Sequence, residues 1–193
     1  MKICVFGAAS PRIDKDYIEK VEAMGEEMAK RGHSLVFGGG GNGLMGAAAR
    51  GVFAQGGYIE GVIPGFFEDE EIEAVFPHCD MVYETKTMRE RKQMMEDLSD
   101  AFIIVPGGIG TFEELFEIMT LRQLCRHNKP IALYNINGYY SELNAMMKAS
   151  VEKGFVRSAV EDLYKTTDDL SELFEFLETP QPENQLVKAL KDG

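Results

Sequence analysis

The chain has 193 residues, 45% of them apolar, and a formal net charge of −12. That length suits one domain with a sizeable core, and the apolar content excludes disorder. The acidic balance argues against a nucleic-acid polymer as partner, since that affinity rests on clustered Lys and Arg, but leaves open a small phosphorylated ligand. No apolar run reaches membrane-spanning length. The N-terminus MKICVFGAAS is too quickly followed by charge for a secretory signal, so a cytoplasmic protein is expected. Cys4, Cys79 and Cys125 lie far apart, without zinc-ligand or redox spacing, and read as scattered core thiols.

Strand and helix signals alternate along the chain. KICVFG reads as a first strand. Residues 14–30 carry a helical stripe of Tyr17, Ile18, Val21, Met24 and Met28, with Gly32 as a stop. HSLVFGGGG is a second strand running into glycines, and residues 44–55 form a small-residue helix. GYIEGVIP is a third strand and MVYET a short fourth. Residues 88–98 read as a helix. AFIIV, residues 101–105, is short, apolar and rich in β-branched residues, as a buried strand is. FEELFEIMTLRQL after it has apolar residues at 112, 115, 116, 118, 119 and 121, an amphipathic helix. PIALYN is a further strand, and residues 139–153 and 170–177 are two more helices. This alternation predicts an α/β fold: a Rossmann-like, doubly wound, mainly parallel sheet with helices on both faces. A single nucleotide-binding domain over residues 1–180 is expected, followed by a tail at 181–193.

Three small-residue loops fall at strand carboxyl ends: GAAS at 7–10, GGGGNG at 38–43 and PGGIG at 106–110. Right-handed crossovers would bring all three to one edge of the sheet, where ligands bind in such folds. Residues 41–46, GNGLMG, match the dinucleotide pattern GxGxxG, with Glu60 at a suitable distance. The match lies on the second strand unit, however, and the PGGIG loop competes for the same edge. Backbone N–H groups at two helix starts are better read as a nest for one phosphate. Thr111 followed by Glu114 has the spacing of a capping box, a purely structural explanation of both residues. Glu113 suits the helix dipole as a first-turn acid.

The stretch TMRERKQMMEDL carries a second signal. On a helical wheel at about 100° per residue, Arg89, Glu90, Gln93, Glu96 and Asp97 cover a polar side. Arg91 falls among the methionines, with Lys92 at their margin. A guanidinium there needs an acceptor. An internal carboxylate would serve, and so would a ligand phosphate or a catalytic carboxylate.

These residues carry a family resemblance. PGGIGTFEE resembles the PGGxGTxxE motif of the LONELY GUY (LOG) family, the cytokinin riboside 5′-monophosphate phosphoribohydrolases. MRERKQMM resembles its companion MHxRKxxM, and the 23 residues from Arg91 to Glu114 are the family's spacing. The likeness extends over FGGGGNGLMGAAARGVFAQGG and over residues 120–156; the loop at 65–85 and the tail match loosely. Some members carry a lysine decarboxylase label, which no lysine motif in this chain supports. The resemblance implies hydrolysis of the bond between a base and ribose 5-phosphate. The substrate would be a cytokinin nucleotide such as isopentenyladenosine monophosphate, or AMP, with no metal or cofactor required. Carried over, Glu114 is the catalytic carboxylate and Arg91 its basic partner. Gly107, Gly108, Gly110 and Thr111 would hold the 5′-phosphate. Met88, Lys92 and Thr120 would contact the nucleotide, and Glu71 matches a substrate-contacting Glu. A homodimer with sites near its interface is also implied. The chain departs from the family in having Arg89 where His is usual. Two alternatives stay open: a nucleotide carrier without turnover, and a nucleosidase acting on nucleotides of several bases.

Overall fold

The computed structural model describes residues 1–66 and 75–182. Its strands are β1 (Lys2–Phe6), β2 (Ser34–Phe37), β3 (Ile59–Pro64), β4 (Met81–Thr85), β5 (Ala101–Ile104), β6 (Ile131–Tyr134) and β7 (Lys165–Thr167). They form one sheet in the order β4-β3-β2-β1-β5-β6-β7, parallel at every pairing. The helices are α1 (Lys15–Lys30), α2 (Gly43–Ala54), α3 (Met88–Leu98), α4 (Ile109–Gln123), α5 (Ser141–Glu152) and α6 (Leu170–Glu178). The expected Rossmann-like α/β class is what forms.

Alternation within each strand builds the two layers, because successive side chains leave a strand on opposite faces. Ile3, Val5, Leu35, Phe37, Ala101 and Ile103 join one core with α1, α2 and α6. Cys4, Phe6, Val36, Phe102 and Ile104 join the other, against Met95 of α3 and Leu115 and Ile118 of α4. Burial on both faces explains why these strands read as continuous apolar runs. The chain winds from β1 outward to β4, then returns to β5 on the other side of β1 and winds outward again to β7. The crevice beyond the carboxyl ends of β1 and β5 is therefore the topological switch point.

The elements sit close to their expected places, with instructive exceptions. β7 was not foreseen: it is three residues, KTT, at the sheet's edge. Two 3-10 turns, Ile136–Gly138 and Ser158–Leu163, also carry no periodicity long enough to read. The helix after AFIIV begins at Ile109, three residues before its apolar stripe. Glu71, and most of the tail, lie outside the described residues. No described helix is long and apolar enough to cross a membrane.

Candidate functional site

The three small-residue loops converge as the topology requires. The Ala8 N–H donates to the Pro106 carbonyl at 3.1 Å, and the Leu44 N–H donates to the Ala8 carbonyl at 2.8 Å. The loops after β1, β2 and β5 thus share one edge. At its centre Gly108 is the N-cap of α4, with φ −95° and ψ −153°. The amides that follow, at Ile109, Gly110 and Thr111, belong to the first turn and have no intrahelical acceptor. The first intrahelical bond comes from Phe112 N–H to the Gly108 carbonyl, 3.0 Å. A 15-residue helix directs its positive dipole end at the same place.

The loop glycines serve different ends. A Cβ on Gly107 would stand 2.1 Å from Thr111 Oγ1, so only glycine lets that hydroxyl lie against the loop. A Cβ on Gly108 or Gly110 would meet nothing within 4 Å. Those two positions face open space, where a ligand could approach the backbone. A hollow of about 260 Å³ adjoins Gly108, lined also by Ala8, Ile13, Tyr17, Leu44, Gly107 and Tyr139.

Glu114 lies one turn further along α4. The capping-box explanation of Thr111 and Glu114 fails, because Thr111 is the third helical residue rather than the N-cap. Glu114 is partly buried, and burial pushes its carboxyl up from 4.5 to about 7. The Arg91 cation opposes that rise, Glu113 adds to it, Lys92 opposes it and Glu117 adds to it. A carboxyl so placed titrates near neutrality.

Arg91 is 6% exposed on the inner side of α3. Its Nε–H donates to the Val62 carbonyl of β3 at 3.0 Å, and its Nη2 donates to the Gly38 carbonyl just past β2 at 2.8 Å. Backbone carbonyls, one within β3 and one just past β2, are thus acceptors for this guanidinium, a solution the helical wheel does not reveal. Gly38 is required for it, since a Cβ there would stand 1.9 Å from Nη2. Arg91 acts on Glu114 through its charge. Met88, 41% exposed, places its sulfur 4.0 Å from Arg91 Nη1. Lys92 bridges α3 to α4 through ion pairs with Glu113 and with Glu117, the latter at 2.6 Å. Burial alone would lower the Lys92 ammonium, but its hydrogen bonds to the two carboxylates raise it above the usual lysine range.

Not every expected residue joins this cluster. Thr120 is exposed, its hydroxyl donating to the Phe116 carbonyl at 2.7 Å. Nine residues past Thr111, it lies about 180° round α4 and faces away from the loop of its own chain. Arg89 is exposed, as its place on the polar side predicts. The dinucleotide reading of GNGLMG falls. Glu60 is 3% exposed near the amino end of β3, paired with Lys2 at 2.8 Å, at the opposite edge from the loops. Two tyrosines that sequence reasoning passed over do touch the site. Tyr139 donates its hydroxyl to the Gly107 carbonyl at 2.5 Å, and Tyr140 donates to the Val105 carbonyl at 2.8 Å. The adjacent aromatic pair after PIALYN is the only sequence signal of them, and it names no partner.

Comparison with known proteins bears on this arrangement. Residues 45–177 match a family model described as "Possible lysine decarboxylase". The chain is 37% identical over 193 residues to the cytokinin riboside 5′-monophosphate phosphoribohydrolase LOG1 of Arabidopsis thaliana, covering 98% of this chain and 88% of that one. It is 37% identical over 190 residues to the probable cytokinin riboside 5′-monophosphate phosphoribohydrolase LOGL5 of Oryza sativa subsp. japonica, covering 98% and 76%. Among solved structures, the Moco carrier protein from Chlamydomonas reinhardtii superposes with a TM-score of 0.69 at 21% identity, over 97% of this chain and 98% of that one. The molybdenum cofactor binding protein of Rippkaea orientalis gives 0.63 at 17% identity, over 98% and 95%. These last two likenesses concern the fold alone. With the glycine loop, Arg91 and Glu114 brought to one edge of that fold, and relatives this similar over nearly the whole chain, the protein belongs to the LOG family, whose family model bears the lysine decarboxylase description.

Proposed function

We propose that the chain hydrolyses the N-glycosidic bond of a nucleoside 5′-monophosphate, releasing the free base and ribose 5-phosphate. The observation that carries this reading is a carboxyl tuned to about 7, Glu114, one helical turn from an open nest of backbone amides. The names of the relatives support it. Gly107, Gly108, Gly110 and Thr111 hold the 5′-phosphate through amides and one hydroxyl. As the bond from C1′ to the base breaks, the ribose gains oxocarbenium character. The ionised Glu114 stabilises that charge and orients the water whose oxygen bonds to C1′. The water gives up one proton as its oxygen bonds to C1′, and the departing base gains one, so that base and ribose 5-phosphate leave with no net change of protons. Arg91 and Lys92 hold Glu114 closer to its ionised form than burial alone would allow.

A cytokinin riboside monophosphate such as isopentenyladenosine monophosphate is the substrate we favour, with AMP second. Thr120 faces away from the loop of its own chain, so it reaches a nucleotide only across an interface between two copies. The nucleotide contact and the homodimer with shared sites, both implied by the family resemblance, therefore stand or fall together. The family model's description would require a lysine that forms a Schiff base. Lys92, the lysine that pairs with the start of α4, is held protonated by two carboxylates and is unsuited to that role.

The test is base release from a panel of nucleoside monophosphates, with Glu114→Gln and Arg91→Ala beside the wild type. Cleavage by the wild type, lost in both folded variants, is the expected result. Tight nucleotide binding without release of any base would assign a carrier instead.

A further inference from the structure

We propose that Tyr139 is a positioning residue that fixes the orientation of the Gly107–Gly108 peptide and so aims the Gly108 amide at the phosphate of the ligand. This rests on the phosphate-cradle reading given above. A trans peptide unit is planar, with its C=O and N–H pointing in opposite directions. The Gly107 carbonyl accepts the Tyr139 hydroxyl at 2.5 Å. The Gly108 N–H in the same peptide unit therefore points to the other side of the loop. Among the described residues no protein acceptor meets that N–H, and a Cβ built on Gly108 would meet nothing within 4 Å.

The peptide needs such a constraint because it lies between two glycines. With no Cβ on either side, rotation of the whole unit meets little steric resistance, and the reversed orientation would present a carbonyl oxygen to the phosphate. The tyrosine hydroxyl selects one of the two.

Tyr139 is itself held from the side of α1, independently of any ligand. Its ring stands edge-on to Tyr17, with centroids 6.5 Å apart and planes at 84°, and edge-on to Tyr140 at 5.1 Å and 89°. Two residues earlier, Asn137 adopts a left-handed φ of 54°. Its Nδ2 donates to Asp16 Oδ2 at 2.7 Å, and its Oδ1 accepts from Lys20 Nζ at 2.7 Å. The chain of contacts runs from α1 through Asn137 to Tyr139 and on to Gly107. None of these groups touches the reacting carbon in the mechanism above, so their effect is on where the phosphate sits.

The test is Tyr139→Phe, which keeps the ring and its packing and removes the hydroxyl. Ribose 5-phosphate binding is measured by calorimetry, and AMP or isopentenyladenosine monophosphate hydrolysis is followed alongside. The expected result is a roughly fivefold to tenfold loss of ribose 5-phosphate affinity and a matching rise in KM, with kcat changed about twofold at most, as loss of one selecting hydrogen bond implies. The melting temperature should stay at the wild-type value. Unchanged affinity and KM would overturn the proposal. So would a joint collapse of kcat, KM and melting temperature, which would make Tyr139 a packing residue. If the wild type binds ribose 5-phosphate but hydrolyses nothing, the proposed reaction fails while the binding comparison still decides the role of Tyr139. If the wild type binds no ribose 5-phosphate, the cradle and this proposal fall together.

Discussion

Replacing Glu114 by Gln should abolish base release and at the same time stabilise the protein at alkaline pH. Burial holds this carboxyl at about 7 in the folded chain, against 4.5 when exposed. Below 4.5 it is protonated in both states and contributes no difference. Between 4.5 and 7 the unfolded chain loses the proton while the folded chain retains it, so stability falls as pH rises. Above 7 the loss is complete. At about 1.4 kcal/mol per pH unit the rise corresponds to roughly 3 kcal/mol, and partial exposure of the carboxyl brings it to about 2–3 kcal/mol. Gln has nearly the same shape and does not titrate. Its advantage over the wild type should therefore be small at pH ~5 and reach about 2–3 kcal/mol by pH ~8, or roughly 5–10 °C in melting temperature for a chain of this size. Urea unfolding of both proteins at the two pH values reads this directly. Other titrating groups cancel in the difference, since both proteins contain them. A difference in unfolding midpoint that does not grow between the two pH values would refute the assignment of Glu114 as a desolvated, ionisable carboxyl.

Other outcomes follow from the same geometry. The rate of base release should fall about tenfold per pH unit below about 7, because Glu114 acts ionised; a flat profile between pH ~5 and pH ~8 would assign the chemistry elsewhere. Lys92→Met removes a cation that lowers Glu114 and leaves Glu113 and Glu117 to raise it, so the acid limb of the profile should move to higher pH; a limb that stays in place would show that Lys92 does not act through Glu114. Gly108→Ala should leave the melting temperature unchanged and raise KM, whereas Gly107→Ala should lower the melting temperature, because its methyl would be 2.1 Å from Thr111 Oγ1; equal thermal effects would contradict this division of roles. Gly38→Ala drives a methyl against Arg91 Nη2 and should reduce base release about as strongly as Arg91→Ala, measured as kcat/KM in folded protein.

The fold was legible because parallel strands covered on both faces appear as short apolar runs, as KICVF, SLVF and AFII do. Their glycine-rich ends then place the loops once right-handed crossovers are assumed. Arg91 was legible as a guanidinium in need of an acceptor, but the carbonyls of Gly38 and Val62 were not. Backbone acceptors carry no residue identity, and the strands concerned are 53 and 29 positions away. The start of α4 is not legible because Ile109 and Gly110 show neither a cap nor periodicity, while the spacing of Thr111 and Glu114 imitates a capping box that does not form. Tyr139 was invisible as a site residue because its role is a contact with a loop 32 positions earlier. The environment of Glu114 is set by burial and by the charges that α3 and α4 bring near it, which no local pattern reports.

The pairing of β1 with β5 has a consequence for how the chain folds. Ile3 lies in register with Ala101, and Phe6 with Ile104, so the central strand finds one of its two neighbours about 98 positions away. During synthesis, β1, β2 and β3 can associate with α1 and α2 while the other edge of β1 stays open. Contacts of such long range are entropically slow to close, and an open apolar strand edge invites association with other chains in the interval. The PGGIG turn emerges directly behind the strand that seals that edge, and Tyr139 follows later still. Pairing of β5 with β1 is therefore a precondition of the phosphate loop, and a nascent chain that has not yet sealed its central strand has no site to occupy.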